Sequence, residues 1–169
     1  MSKTQSRNLG IRRHQAQLPE PRGASRTAKG KRAGFRAHAA DRWARAVLGI
    51  IRSDADPRTL AGWGRTIGTS RGALRAWCRA AHIQPRRALD FARVLRAVVI
   101  SQGKHLDLMN LLDVVDDRTL IRLLKRGAVL ELKDRRSPPT AAEFISKQIF
   151  VRNELAMSAV LRFFNNEKS

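Results

Sequence analysis

The sequence predicts an all-α protein in which a long central helix joins two helix-turn-helix subdomains, with a disordered basic N-terminal arm and an apolar C-terminal helix. Apolar residues recur at helical spacing from Ala39 to Gly127 and again after Pro139. Capping residues, glycine or proline bound each of these runs. A short helix, a turn and a longer helix follow one another twice, which is the layout of a double helix-turn-helix.

The charge of the chain indicates a polyanionic partner. Its 169 residues include 34 Lys and Arg against 14 Asp and Glu, giving a net charge of +20 and an isoelectric point near 11.8. The simplest such partner is nucleic acid. Hydrophobic residues make up 43% of the chain, which is enough for a core. We divide the chain into a disordered basic arm (1–37), a DNA-binding domain (38–132), a linker (133–139) and a C-terminal segment (140–169).

Several function classes are not expected. The single cysteine, Cys78, rules out an internal disulfide framework and a cysteine-cluster zinc site. The four histidines are scattered and no phosphate-binding loop is present, so we expect no metal, no cofactor and no enzymatic activity. No apolar run is long enough for a membrane span. We expect a cytoplasmic, nucleoid-associated protein, with a mitochondrial presequence of similar composition as the alternative for the N-terminus.

The first two helices are predicted from spacing and caps. Residues 1–37 show no apolar period and are expected to be disordered. From Ala39 the spacing becomes helical and predicts a helix to about Arg52. Asp56 followed by Pro57 is typical of a helix start, and it predicts a short second helix that Gly68 ends.

The third helix, over 71–82, is the predicted recognition helix, with Ser70 as its cap. Its apolar positions face inward, and the spacing of its cations predicts a basic stripe opposite the core face. A solvated arginine face is the alternative. In the DNA-binding interpretation this stripe, formed by Arg71, Arg75, Arg79 and His82, lies in the major groove.

A fourth helix begins at Pro85 and ends near Gly103. Its length suits a connector between two subdomains. Arg86, Arg87 and Lys104 lie at its ends and are expected phosphate contacts. For Arg86 and Arg87, simple solvation is the alternative.

The second unit repeats the plan of the first. A shift of 46 residues places Ser70 on Asp116 and Leu74 on Leu120, which is a weak internal repeat. Asp116 or Asp117 is the expected cap of a helix that ends at Gly127. The DNA-contact candidates of this unit are Arg118, Arg122, Lys125 and Arg126.

The C-terminal segment is predicted to form one apolar helix. Thr140 and Glu143 fit a capping box that opens this helix. Its apolar residues either dock on the domain or contact a dimer partner or RNA polymerase.

The segment from Trp43 to Val129 resembles the DNA-binding domain of AraC-type transcription regulators. The best match, over Leu60 to Ala97, is carried by Leu60, Trp63, Gly64, Ile67, Gly68, Ser70, Leu74, Pro85, Leu89, Arg93 and Ala97. In the second unit, Asn110 and Val114-Val115 depart from the family pattern. The resemblance implies two helix-turn-helix units and a regulator without a fused ligand-sensing domain. It also implies a recognition helix at 71–82, in which Arg71 and Arg75 reach base edges and Arg79 and His82 contact the DNA backbone.

Three functions follow from these observations. The first is a regulator that reads double-stranded DNA. The second is a nonspecific nucleoid-associated or RNA-binding protein whose charge does most of the binding. The third is a structural subunit that docks through its C-terminal helix. A high specificity ratio over random DNA distinguishes the first, and a steep salt dependence without a preferred sequence distinguishes the second.

Overall fold

A computed structural model describes residues 25–104, 106–127, 139–147 and 154–166, and these residues contain eight helices and no strand. The predicted all-α class is therefore confirmed. The helices are α1 (Ser25–Ile51), α2 (Leu60–Thr66), α3 (Arg71–Ala80), α4 (Pro85–Lys104), α5 (Leu108–Leu111), α6 (Asp117–Gly127), α7 (Ala141–Ser146) and α8 (Glu154–Asn166).

Helix α4 is the centre of the fold. Every residue from Ala88 to Val98 is buried, because α4 packs against α1, α2, α3, α5, α6 and α7. A helix that is covered on all sides must be apolar around most of its circumference, as this one is. Phe91 lies at its middle, with ring centroids 5.8 Å from Trp43 and 5.6 Å from Phe144. The start of α4 at Pro85 is as predicted.

Helix α1 begins at Ser25, far ahead of the expected start near Ala39. The prediction of a disordered arm is therefore wrong from Ser25 to residue 37, while residues 1–24 lie outside the described part. The described side chains from Ala33 to His38 are all exposed, so this part of the helix needs no apolar period. A helix extends readily from a packed segment that has already nucleated, and alanine, lysine and arginine favour that extension.

The predicted cap of α2 is wrong. Thr59, not Asp56, is the N-cap, and its hydroxyl accepts a hydrogen bond from the Gly62 amide at 3.0 Å. Asp56 is instead held by a side chain of α4. After α2 the chain turns at Gly68, whose φ of 69° is the left-handed conformation that glycine adopts most easily.

Helix α3 begins as predicted but ends sooner. The Ser70 hydroxyl accepts from the Ala73 amide at 3.0 Å, which confirms the predicted cap. The helix ends at Ala80, and His82 has a φ of 55°, so the last predicted helical residue belongs to the turn that follows.

The second unit has the same plan at the predicted shift. Helix α5 is a single turn capped by Asp107, and Asp116 caps α6 by accepting from the Thr119 amide at 2.8 Å. Adding 46 to the bounds of α3 gives 117–126, nearly the span of α6. The left-handed residue of this turn is Asp113, with a φ of 49°.

The C-terminal segment holds two described helices rather than one. The capping box of Thr140 and Glu143 is present at the start of α7, as predicted. Helix α7 packs on α4, and α8 packs on α1 through the buried Ala159 and Val160. The segment therefore docks on the domain. The predicted linker lies outside the described residues except for Pro139.

Candidate nucleic-acid interface

The predicted base-contact residues of α3 are exposed but lie on its flank. Arg71, Arg75, Arg79 and His82 are all solvent-exposed. At about 100° per residue, Arg71 and Arg75 lie beside the buried stripe of α3, which consists of Leu74, Cys78 and Ala81, whereas Arg79 lies nearer the opposite side. The position opposite that stripe belongs to two small residues, Gly72 and Ala76. The expectation of a basic stripe opposite the core is therefore wrong for Arg71 and Arg75.

Helix α6 has the arrangement that was expected of α3. Its buried stripe consists of Leu120, Leu123, Leu124 and Gly127. Arg118, Arg122 and Lys125 are exposed and lie on the opposite side of the helix. Ile121 lies beside these three cations and is 49% exposed. This basic face points away from the core.

The two units therefore share one arrangement of helices, but their exposed cations lie at different positions. Under the shift of 46, Arg118 takes the place of Gly72 and Arg122 takes the place of Ala76. Among the exposed cations of the two helices, only Arg79 and Lys125 coincide. Plotting both helices at 100° per residue is the sequence signal that would have revealed this difference.

The N-terminal end of α6 is acidic. Asp116 accepts hydrogen bonds from the side chain and the amide of Thr119, and these bonds hold the pKa of its carboxyl below the ordinary value. Asp117 follows in the first turn. Asp113, in the preceding turn, forms an ion pair with Arg58. A phosphate therefore meets a favourable potential only at the middle and C-terminal half of α6.

Some predicted DNA contacts, namely the backbone contact Arg86 and the second-unit candidate Arg126, are engaged within the protein. Arg86 donates to the Arg58 carbonyl at 3.1 Å and lies 3.6 Å from Asp90. The Nε of Arg126 donates to Oδ2 of Asp90 at 3.0 Å. Since Asp90 is fully buried, Arg126 offsets a charge in the core. Arg87 is exposed, and the side chain of Lys104 lies outside the described part.

Two arginines of α4 hold the loops that position both units. From the sequence, Arg93 was named only as part of the family resemblance, without this role, and Arg96 was not named. Arg93 makes a bidentate pair with Asp56, with an Nε to Oδ1 distance of 2.8 Å, and donates to the Leu112 carbonyl at 2.9 Å. Arg96 donates to the carbonyls of Ser53 and Asp54, both at 2.9 Å. Their sequence signal was the presence of two arginines inside an apolar run, because a buried guanidinium requires partners.

The remaining chemistry of the described residues is sparse. No cluster of three potential metal ligands occurs among them. Burial raises the pKa of the Cys78 thiol to about 12, so this side chain is a neutral part of the core. Within the described ranges, no helix is both long and apolar enough to cross a membrane.

Comparisons with known proteins found no relative. No protein-family model matches the chain, and no curated protein or solved structure is significantly similar to it.

Proposed function

We propose that this chain is a transcription regulator that binds double-stranded DNA in the major groove, with α6 and α3 as its two contacting helices. The observation that carries the proposal is the cationic face of α6, where Arg118, Arg122 and Lys125 stand opposite the buried stripe of a capped helix. The major groove of B-DNA is wide enough to admit such a helix. The repeated plan and the resemblance to AraC-type domains support the same conclusion.

The residue types on α6 suit base reading. Arg118 and Arg122 are four residues apart and share one side of the helix. Arginine binds the O6 and N7 atoms of guanine with two parallel hydrogen bonds, and an exposed aliphatic side chain such as Ile121 contacts the thymine methyl group. On α3, Arg71 and Arg75 reach bases from the flank of the helix. Lys125 and Arg79, at equivalent positions, contact phosphates.

Selection from a random double-stranded DNA pool, at about 150 mM salt, tests the proposal. The full chain is required because α7 and α8 complete the core, as the stacking of Phe144 on Phe91 illustrates. We expect one recovered motif with two blocks about 10 base pairs apart, each containing guanine. Failure to enrich any sequence would contradict the proposal.

Matched variants assign the bases to residues. Arg122→Ala and Arg75→Ala should each weaken binding to the selected duplex by about 1–3 kcal/mol, and each should relax the preference in a different block. Arg65→Ala removes an exposed charge from α2, outside both faces, and serves as the control. If a variant loses as much on a scrambled duplex as on the selected one, its arginine contacts phosphate rather than a base.

The second candidate is a nonspecific nucleoid-associated or RNA-binding protein. The net charge of +20 favours it, as do exposed arginines outside α3 and α6, such as Arg36, Arg45 and Arg87. This candidate predicts that the logarithm of the binding constant falls steeply and linearly with the logarithm of salt concentration, with equal slopes for unrelated sequences.

A further inference from the structure

We propose that a cleft between α1 and α3 is a binding site for a small planar aromatic carboxylate. The cleft has a volume of about 350 Å³ and lies between the middle of α1 and the turn from α2 to α3. This volume is at the lower end of the range found for small-molecule sites, about 300–1,000 Å³. Part of its lining is cationic and part is apolar, so the cleft suits a ligand with an anionic group and an apolar body.

The cationic side comes from α1. Arg42 and Arg45 line the cleft together with His38. Asp41 also lines it, but its carboxylate pairs with Arg162 of α8 at 2.9 Å, which offsets its charge. The cleft therefore favours an anion.

Both guanidinium groups are held in place before any ligand arrives. Arg42 lies over the ring of Trp77, 5.8 Å from its centroid, and Arg45 lies over the ring of Phe163 at 5.5 Å. The Nε of Arg42 donates to Nε2 of His38 at 2.9 Å, which leaves its two terminal nitrogens as donors. A planar guanidinium with two parallel donors matches a carboxylate, and its prior positioning lowers the entropy cost of binding.

The apolar side accounts for the ring. Trp77 is half-buried and forms one wall, and the apolar side chains of Ile67 and Ala46 also line the cleft. A flat wall of indole and guanidinium planes favours a flat ligand, because stacking maximises the contact area. A carboxylate attached to a single aromatic ring or to two fused rings fits both this wall and the volume of the cleft.

The position of the cleft separates it from the DNA-contact candidates. Trp77 is two residues from Arg75, and a helix of 3.6 residues per turn puts them on nearly opposite sides of α3. A ligand in the cleft touches the helix that carries Arg71 and Arg75 without covering them. Any effect on DNA affinity rests on the proposed function, whereas binding in the cleft does not.

Titration of the full ¹⁵N-labelled chain with 2-naphthoate tests the proposal. The chain has three tryptophans. Trp43 is fully buried and does not line the cleft, whereas the Trp63 indole N–H donates at 3.0 Å to the carbonyl of Ala46, which does. The Trp77 signal, assigned with Trp77→Phe, should shift with a Kd below about 1 mM while the Trp43 signal stays in place. Two probes serve as controls, the neutral 2-naphthalenemethanol and the flexible anion octanoate. Both should bind at least about tenfold more weakly.

A charge-matched pair of variants locates the carboxylate. Arg45→Gln should weaken 2-naphthoate binding by about tenfold or more, because it removes a charge-assisted hydrogen bond. Arg36→Gln makes the same charge change on an exposed part of α1 outside the cleft and should leave the Kd unchanged. Equal losses in the two variants, equal affinity for the neutral probe, or a shift at Trp43 instead of Trp77 would each overturn the proposal.

A binding experiment with both 2-naphthoate and a DNA duplex completes the test. If a selected duplex and 2-naphthoate bind together, the cleft is separate from the DNA surface, and any change in DNA affinity measures the coupling between them. Displacement of naphthoate by DNA, one molecule for one, would assign the cleft to DNA and overturn the proposal. Binding of naphthoate by a chain that selects no DNA sequence would uphold the cleft and reject the proposed function.

Discussion

Replacing Arg93 by alanine should destabilise the whole domain. Its side chain is 8% exposed and that of its partner Asp56 is 16% exposed, so this ion pair is largely withdrawn from water. The variant leaves the Asp56 carboxylate and the Leu112 carbonyl without their donor. Breaking a buried pair from one side costs about 3–5 kcal/mol, because the remaining charge stays desolvated.

The loss is large against the stability of a typical domain, about 5–15 kcal/mol. Urea unfolding at pH 7, followed by circular dichroism at 222 nm, measures it directly. In thermal unfolding the same loss should lower Tm by about 6–20 °C. Arg87→Ala is the control, because this arginine of α4 is exposed, and it should change the free energy of unfolding by less than about 0.5 kcal/mol.

A double-mutant cycle with Asp56→Ala isolates the pair itself. We expect a coupling energy of about 1–3 kcal/mol, since the two side chains contact each other directly. If Arg93→Ala costs no more than Arg87→Ala, or if the coupling energy is near zero, the argument that Arg93 fixes the two loops is wrong.

Three further predictions concern the turn, a cap and the thiol. Gly64→Ala should destabilise by about 1–3 kcal/mol, because a Cβ there would lie 2.5 Å from the Thr69 carbonyl oxygen. Gly72→Ala on α3, where a Cβ would make only an ordinary contact with Ser70 Oγ at 3.7 Å, should stabilise by up to about 1 kcal/mol; urea unfolding compares the two variants. The pKa of Asp116 is lowered in the fold, so its cap contributes stability at pH values above the pKa that this carboxyl has in the unfolded chain. That stability is lost as the pH falls through the pKa of the folded state. Asp116→Asn should keep the cap and flatten that part of the pH–stability curve. Because burial raises the pKa of Cys78 to about 12, its alkylation at pH 8 should be slow until urea unfolds the chain, and fast reaction in buffer would show that the thiol is accessible.

Elements marked by local chemistry were predicted correctly. Ser70 and the Thr140 capping box open their helices, Pro85 begins α4 and Gly127 ends α6. Each of these signals acts within one helical turn, where the backbone groups left unpaired at a helix end must find partners. Such signals are visible in the sequence whatever the rest of the chain does.

Features decided by distant contacts were missed. Asp56 with Pro57 has the pattern of a helix start. The Asp56 carboxylate instead pairs with Arg93, 37 residues away, and Thr59 caps α2. The basic face of α3 was placed opposite the core because four-residue spacing was read without fixing the direction of the buried stripe. The cleft could not be anticipated, since Arg42 and Trp77 belong to different helices and meet only in the fold.

The contacts among the loops imply that the two units form one rigid body, and under the proposed function they would meet DNA together. Arg93 holds the loop before α2 and the end of α5, and Arg58 of the first unit pairs with Asp113 of the second. Inserting one base pair between the two blocks of a selected site rotates one block by about 35° and moves it by about 3.4 Å relative to the other. A rigid pair of helices then loses one of its contacts, so the insertion should weaken binding about as much as scrambling a whole block. If the insertion is tolerated, the units move independently, and Arg93→Ala should then leave DNA affinity unchanged at temperatures where the variant is folded.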